Sequence, residues 1–81
     1  MVKYIEVDMR WAPRHVRNDI QKHLRDTKFF GDVDNLHYEM YIWVYVDLKH
    51  KRVHALTSNA GLSNFTSITP DELLEALGGA I

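Results

Sequence analysis

The stretch HYEMYIWVYVDL, residues 37–48, alternates between two sets of residues, as a half-buried β-strand does. The apolar set is expected to face a core and consists of Tyr38, Met40, Ile42, Val44, Val46 and Leu48. The other set is expected to face water and consists of His37, Glu39, Tyr41, Trp43, Tyr45 and Asp47. Because half of this second set is aromatic, the strand predicts a candidate binding surface on the outer face of a sheet.

The run that follows, KHKRVHALTS at 49–58, is expected to return beside this strand as a β-hairpin. The predicted inner pairs are Val46 with Val53, Val44 with Ala55 and Ile42 with Thr57. The predicted outer pairs are Asp47 with Arg52, Tyr45 with His54 and Trp43 with Leu56. Each pair matches in character, which favours this register. The loop is then residues 48–51, four residues without glycine, which fits a type I turn.

Three further segments complete the predicted elements. VKYIEVDMR at 2–10 alternates like a strand, with Ile5, Val7 and Met9 on one side. In residues 12–27 apolar side chains recur every four positions, which predicts an amphipathic helix over about 13–26. In SITPDELLEALGG at 67–79, Thr69 and Glu72 form a capping box around Pro70, and a helix follows that ends at Gly78 or Gly79. Its predicted buried stripe is Leu73, Leu74 and Leu77.

The order β-α-β-β-α predicts one compact α+β domain over residues 1–81. We expect a two-layer sandwich: a three-stranded, mainly antiparallel sheet with both helices on one face. KFFGDVDN at 28–35 is read as a connection in which Phe29 and Phe30 cover one end of the core. SNAGLSNF at 58–65 is read as irregular.

Composition limits the classes of function. The formal net charge is −1, so no global attraction to nucleic acid or to an anionic membrane is expected. The chain has no cysteine, which removes disulfides and thiolate chemistry. Charges come too early for a signal peptide, and no apolar run approaches eighteen residues. We therefore expect a cytoplasmic protein with no membrane contact.

The predicted function is non-catalytic binding through the outer sheet face, which Tyr4 joins if the first strand lies alongside. The predicted partner-binding residues are Tyr4, Tyr41, Trp43, Tyr45, Arg52, His54 and Leu56. Tyrosine and tryptophan are enriched at protein interfaces, which favours a homodimer or a partner protein that the domain binds or inhibits, as small phage or mobile-element accessory proteins do. Cover of this face by the chain's own 58–65 loop or by the Phe29–Phe30 segment is the alternative.

A second hypothesis is stacking of single-stranded nucleic acid on Tyr41, Trp43 and Tyr45. Phosphates would contact Arg52 and a basic hairpin tip made of Lys49, His50 and Lys51. Four carboxylates expected on the same face disfavour it, namely Glu6, Asp8, Glu39 and Asp47.

The remaining functional classes are weaker. A small ribonuclease that uses His54, Arg52 and Tyr45 is the third hypothesis. No catalytic set is predicted, because no combination of nucleophile, base and orienting residue is visible in the sequence. No metal site or cofactor is predicted, because no three ligands converge by local spacing. The basic residues Arg10, Arg14 and Arg17 are interpreted as a solvated surface.

Overall fold

The computed structural model describes residues 3–59 and 64–78. Its elements are β1 Tyr4–Asp8, α1 Arg14–Asp26, β2 Phe30–Gly31, a 3₁₀ turn Val33–Asn35, β3 Trp43–Asp47, β4 Arg52–Leu56, β5 Phe65–Ile68 and α2 Pro70–Gly78. The α+β class and the two helices are confirmed. The predicted three-stranded sheet is wrong, since five strands form a mixed sheet.

The two additional strands explain this correction. β2 has two residues and lies in the segment interpreted as a connection, whereas β5 has four and runs from the end of the irregular segment into the residues before the α2 capping box. Each pairs in parallel with a strand distant in sequence, β2 with β4 and β5 with β1. Such short strands are stabilised by non-local pairing and carry almost no periodicity of their own, so pattern reasoning could not detect them.

The sheet order is β2-β4-β3-β1-β5. β3 runs antiparallel to both of its neighbours, and the other four strands run in one shared direction. The predicted hairpin register is confirmed for every pair from Trp43–Leu56 to Asp47–Arg52. β3 therefore spans the molecule from the turns that precede Trp43 to the hairpin loop after Asp47.

The first half of the opening stretch is not a strand. Residues 37–42 lie outside β3 and include turns, so the predicted pair of Ile42 with Thr57 does not form within the ladder. Tyr38 and Met40 were expected in the core, but they are 52% and 63% exposed. The physical reason is local hydrogen bonding: Tyr41 N–H donates to the Tyr38 carbonyl over 3.1 Å, which closes a turn and ends the alternation.

Both helices pack on one face of the sheet, as predicted. The buried cluster consists of Val7, Met9, Val16, Ile20, Leu24, Val33, Leu36, Val44, Val46, Val53, Ala55 and Leu73. Leu74 and Leu77 pack against it while only partly buried. The capping box of α2 is confirmed: Thr69 N–H donates to Glu72 Oε1 over 2.9 Å, and Glu72 N–H donates to Thr69 Oγ1 over 3.1 Å. These bonds from Thr69 lower the pKa of the Glu72 carboxyl.

β2 requires glycine at its second position. Gly31 has a φ of 104°, and a Cβ there would lie 2.2 Å from the carbonyl oxygen of Val53. The Asp32 carboxylate then accepts from Ala55 N–H over 3.0 Å, so it extends the pairing beyond the strand. The chain can therefore lie tightly along β4, which brings Phe30 beside Arg52.

In the described part of the chain, no helix has the length and apolar character needed to span a bilayer.

Candidate binding surfaces

The outer sheet face brings most of the predicted partner-binding residues together. Trp43 faces Leu56 and Tyr45 faces His54 across the hairpin. Tyr4 lies beside them, with its ring centroid 5.8 Å from that of His54 and 6.3 Å from that of Tyr45. Sequence alternation and strand pairing thus identify this aromatic cluster correctly.

The centre of that face is packed within the chain. Tyr45 has no exposed surface, and its hydroxyl donates to Glu6 Oε2 over 2.9 Å. The Asn59 side chain lies 3.2 Å from the same hydroxyl, and Ser67 Oγ donates to the other Glu6 oxygen over 2.8 Å. Asn59 belongs to the segment that leads from β4 to β5, so the chain itself covers part of the face. Tyr45 is a structural residue here and is not accessible to a partner.

Tyr41 does not share the outer face. It precedes β3 and packs against the hydrophobic core, so its placement beside Trp43 and Tyr45 is wrong. Trp43 and Leu56 are half-buried, and the Arg10 guanidinium lies 5.8 Å from the Trp43 ring centroid. The accessible aromatic area is therefore smaller than the alternation predicts.

The acidic residues expected on this face are also placed differently. Glu6 and Asp47 are only 8% and 3% exposed and accept hydrogen bonds. Glu39 lies outside the strands and pairs with Arg14 over 3.6 Å. Among the four, only Asp8 is both on a strand and substantially exposed. The carboxylates thus oppose an anionic ligand less than the sequence indicated.

Arg17 is buried, which corrects its interpretation as a solvated residue. Its Nη2 donates to the carbonyl of Met9 over 2.7 Å. Its Nη1 donates to the carbonyls of Leu36, Tyr38 and Tyr41 over 3.0, 3.2 and 3.3 Å. Burial lowers the pKa of this guanidinium and nearby Glu39 partly offsets the effect, but arginine stays charged at neutral pH. A charged side chain is therefore held entirely by backbone oxygens of two separate loops.

These two loops form what we call the clamped turns, residues 9–12 and 38–41. Ala12 N–H donates to the Met9 carbonyl over 3.1 Å, and Tyr41 N–H donates to the Tyr38 carbonyl over 3.1 Å. Each turn therefore gives Arg17 an acceptor from its first residue. The third residue of each turn is a large apolar side chain in water: Trp11 is 85% exposed and Met40 is 63% exposed. Fixed turns that present such side chains are typical of interaction sites.

A pocket of about 270 Å³ lies next to Trp11. It is lined by Asp8, Trp11, Ala12, Pro13, Ile68, Thr69, Pro70 and Asp71. Its lining is largely apolar and includes two acidic residues. The same surface therefore holds a protruding indole, a recess and charges of both signs, since Arg10 lies in the turn and Arg14 follows it.

At the other end of β3, the predicted basic tip forms the hairpin loop. Lys49, His50 and Lys51 are all exposed. The Asp47 carboxylate accepts from His50 N–H over 3.1 Å and contacts His50 Nδ1 over 2.8 Å. Burial alone would raise the pKa of Asp47, but these bonds outweigh it and lower that pKa. Arg52 was expected to be the ionic partner of Asp47, but the Asp47 carboxylate contacts His50 instead. Arg52 is exposed beside Asp47.

Sequence reasoning missed Trp11 and Phe30. Phe29 packs against the core as expected, but Phe30 is 67% exposed. A signal for Trp11 was present: it falls outside both the alternation of the first strand and the four-residue spacing of the first helix. An apolar residue that fits neither periodicity has no predicted place in the core.

No protein-family model matches the chain, and no curated protein or solved structure is significantly similar to it. Within residues 3–59 and 64–78, no three histidine or acidic side chains converge in a way that could hold a metal ion.

Proposed function

We propose that the protein is a non-catalytic accessory domain that acts as a symmetric homodimer through its clamped turns. The observation that carries the proposal is Trp11, an indole 85% exposed on a turn that Arg17 holds in place. Exposing so large an aromatic surface to water is unfavourable, and its burial against a second molecule would recover that free energy.

A second copy fits because the surface is self-complementary. In a two-fold interface, the same patch meets itself and each contact occurs twice. Trp11 of one copy would enter the pocket beside Trp11 of the other, and the reverse. Arg10 would then approach Asp71 of the opposite pocket, which matches charge around an apolar centre.

The interface then lies at the end of the domain and not on the sheet face expected from the sequence. Arg17 supports this location, because a rigid turn loses little conformational freedom on association. A cytoplasmic location and an accessory role remain predictions of the sequence.

The test is the mass of the protein in solution, measured by sedimentation equilibrium over a range of concentrations. The parent chain should approach twice its 9.5 kDa monomer mass, and Trp11→Ala should remain a monomer with an unchanged circular dichroism spectrum. Trp43→Phe is the matched control, since it alters the half-buried tryptophan on the sheet face and should leave dimerisation intact.

Two results would overturn the homodimer. If the parent chain stays monomeric at the highest concentration, the clamped turns would instead bind a partner of different sequence. A dimer that survives Trp11→Ala would place the interface elsewhere on the molecule.

A further inference from the structure

A second surface lies at the opposite end of β3, which we call the basic corner: Lys28, Phe30, Lys51 and Arg52. Lys28 follows α1, Phe30 begins β2, and the other two residues lead into β4. Phe30 N–H donates to the Lys51 carbonyl over 2.7 Å, and Phe30 is the register partner of Arg52. Lys51 Nζ also donates to the Thr27 carbonyl over 3.2 Å. Chain order and backbone pairing therefore place three cationic residues close to Phe30.

The cations of the basic corner lack acidic partners. Across the described residues, no carboxylate oxygen lies within 4.0 Å of the charged nitrogens of Lys28, Lys51 or Arg52. The other exposed arginines are all paired, namely Arg10 with Asp8, Arg14 with Glu39 and Arg25 with Asp34. The adjacent Asp47 is buried and bonded to His50. The positive charge of this corner is thus available to an anionic ligand.

Phe30 adds an apolar contact at the same place. It is 67% exposed, and it borders an open groove of about 460 Å³ that Lys28 and the paired side chains of Arg25 and Asp34 also line. As parallel neighbours in register, Phe30 and Arg52 point to the same side of the sheet. An exposed ring in a cationic neighbourhood suits a ligand that has both flat faces and phosphates.

The backbone at both lysines favours glycine. Lys28 has a φ of 65° and Lys51 a φ of 54°, the left-handed region in which a side chain costs free energy. Lys28 also holds the position after the helix end where glycine is most common, with Phe29 N–H bonded to the Leu24 carbonyl. Two lysines at such positions beside an exposed phenylalanine are consistent with a role in binding.

We infer that the basic corner binds single-stranded nucleic acid, with a base stacked on Phe30 and phosphates on Lys28, Lys51 and Arg52. Single strands are favoured over duplexes because only unpaired bases can stack on an exposed ring. They are favoured over acidic peptides because those supply charge without a flat aromatic face. This site is independent of the clamped turns.

The first experiment measures the fluorescence anisotropy of a labelled oligothymidylate titrated with the full chain. Binding should weaken as salt rises, with a log–log slope of about −2 for three phosphate contacts on a single strand. Phe30→Ala should weaken binding about tenfold or more through lost stacking, and Phe30→Trp should restore it.

The second experiment uses matched arginines. Arg52→Gln should weaken binding and reduce the salt slope by about 0.7, whereas Arg14→Gln removes the same charge at the far end and should have little effect. Circular dichroism melting establishes that each variant is folded.

Three outcomes would overturn the inference. One is the absence of any anisotropy change for the parent chain at low salt. Another is an equal loss of binding in Arg52→Gln and Arg14→Gln, which would indicate only diffuse charge. The third is competition by polyglutamate with no effect of Phe30→Ala, which would assign the corner to an acidic protein segment.

Discussion

The two ends of β3 use arginine in opposite ways. At the clamped turns, Arg17 is buried and its hydrogen bonds all go to backbone carbonyls, so its charge organises the shape of the chain. At the basic corner, Arg52 is exposed, and no carboxylate of the described residues lies within ion-pair distance of its guanidinium. Its charge therefore faces solvent. The buried Arg17 fixes the turns that expose apolar side chains to water. The exposed Arg52 can attract anions, and the backbone of the neighbouring lysines is strained.

This contrast has an energetic side. A buried cation is stabilising only while all of its hydrogen bonds are made, because an unmatched polar group in the interior is costly. Exposed cations contribute little to stability, whatever they contribute to binding. Substitution of Arg17 should therefore change stability, whereas substitutions at the basic corner should mainly change binding.

The largest effect is expected from Arg17→Met, which keeps the aliphatic volume and removes the donors. Four carbonyl oxygens lose the Arg17 donor, and only those of Met9 and Tyr38 keep a turn hydrogen bond, so the free energy of unfolding should fall by about 3 kcal/mol. For a domain of this size the melting temperature should fall by roughly 15 °C. Urea unfolding measures the first and thermal unfolding measures the second, both followed by circular dichroism.

Arg14→Met is the control, because Arg14 lies one turn away on the same helix with a side chain 78% exposed. Its free energy of unfolding should stay within about 0.5 kcal/mol of the parent value. Equal losses in the two variants would contradict the clamp. Arg17→Met should also prevent dimerisation, since Trp11 would no longer be held.

A smaller effect is expected from Asp47→Asn at the hairpin tip. The carboxylate accepts from His50, and hydrogen bonds to a charged acceptor contribute more than neutral ones, so the loss should be about 1–2 kcal/mol. The folded-state pKa of Asp47 is lowered. Its contribution is therefore complete above the unfolded pKa of about 3.9 and is lost as pH falls through the lower folded value.

The free-energy difference between parent and Asp47→Asn should accordingly be constant near neutral pH and shrink below about pH 4. Urea unfolding at several pH values tests this. A difference that does not change down to pH 2 would show that the carboxylate charge has no part in holding the loop.

The sequence predicts the parts of this molecule that rest on local periodicity. The hairpin register, α1 and the capping box at Thr69 all follow from spacing, and all are confirmed. What the sequence could not predict depends on contacts between distant segments. The pairing of β5 with β1 is one case, and the clamp of Arg17 on the 36–41 loop is another.

The same distinction applies to the candidate sites. Alternation predicted one shared face for Trp43, Tyr45, His54 and Leu56. It could not reveal that Glu6 on β1 and Asn59 after β4 hold the Tyr45 side chain within the protein. Trp11 and Met40 are exposed because turn hydrogen bonds orient them, and a two-residue period carries no information about turns.

The smallest effect has the opposite sign. Lys28→Gly removes a side chain from a left-handed position, and the free energy of unfolding should rise by about 0.5 kcal/mol after the greater freedom of unfolded glycine is included. Lys22→Gly is the matched control, because Lys22 is exposed in the interior of α1, where glycine should cost about 1 kcal/mol. Urea unfolding should thus order the two variants on either side of the parent. If Lys28→Gly also binds oligothymidylate more weakly, stability and binding will have moved in opposite directions at one residue. That result would mean that the strained backbone at Lys28 persists because the charge is needed for binding. A loss of stability in both glycine variants would show instead that the backbone at Lys28 is not strained.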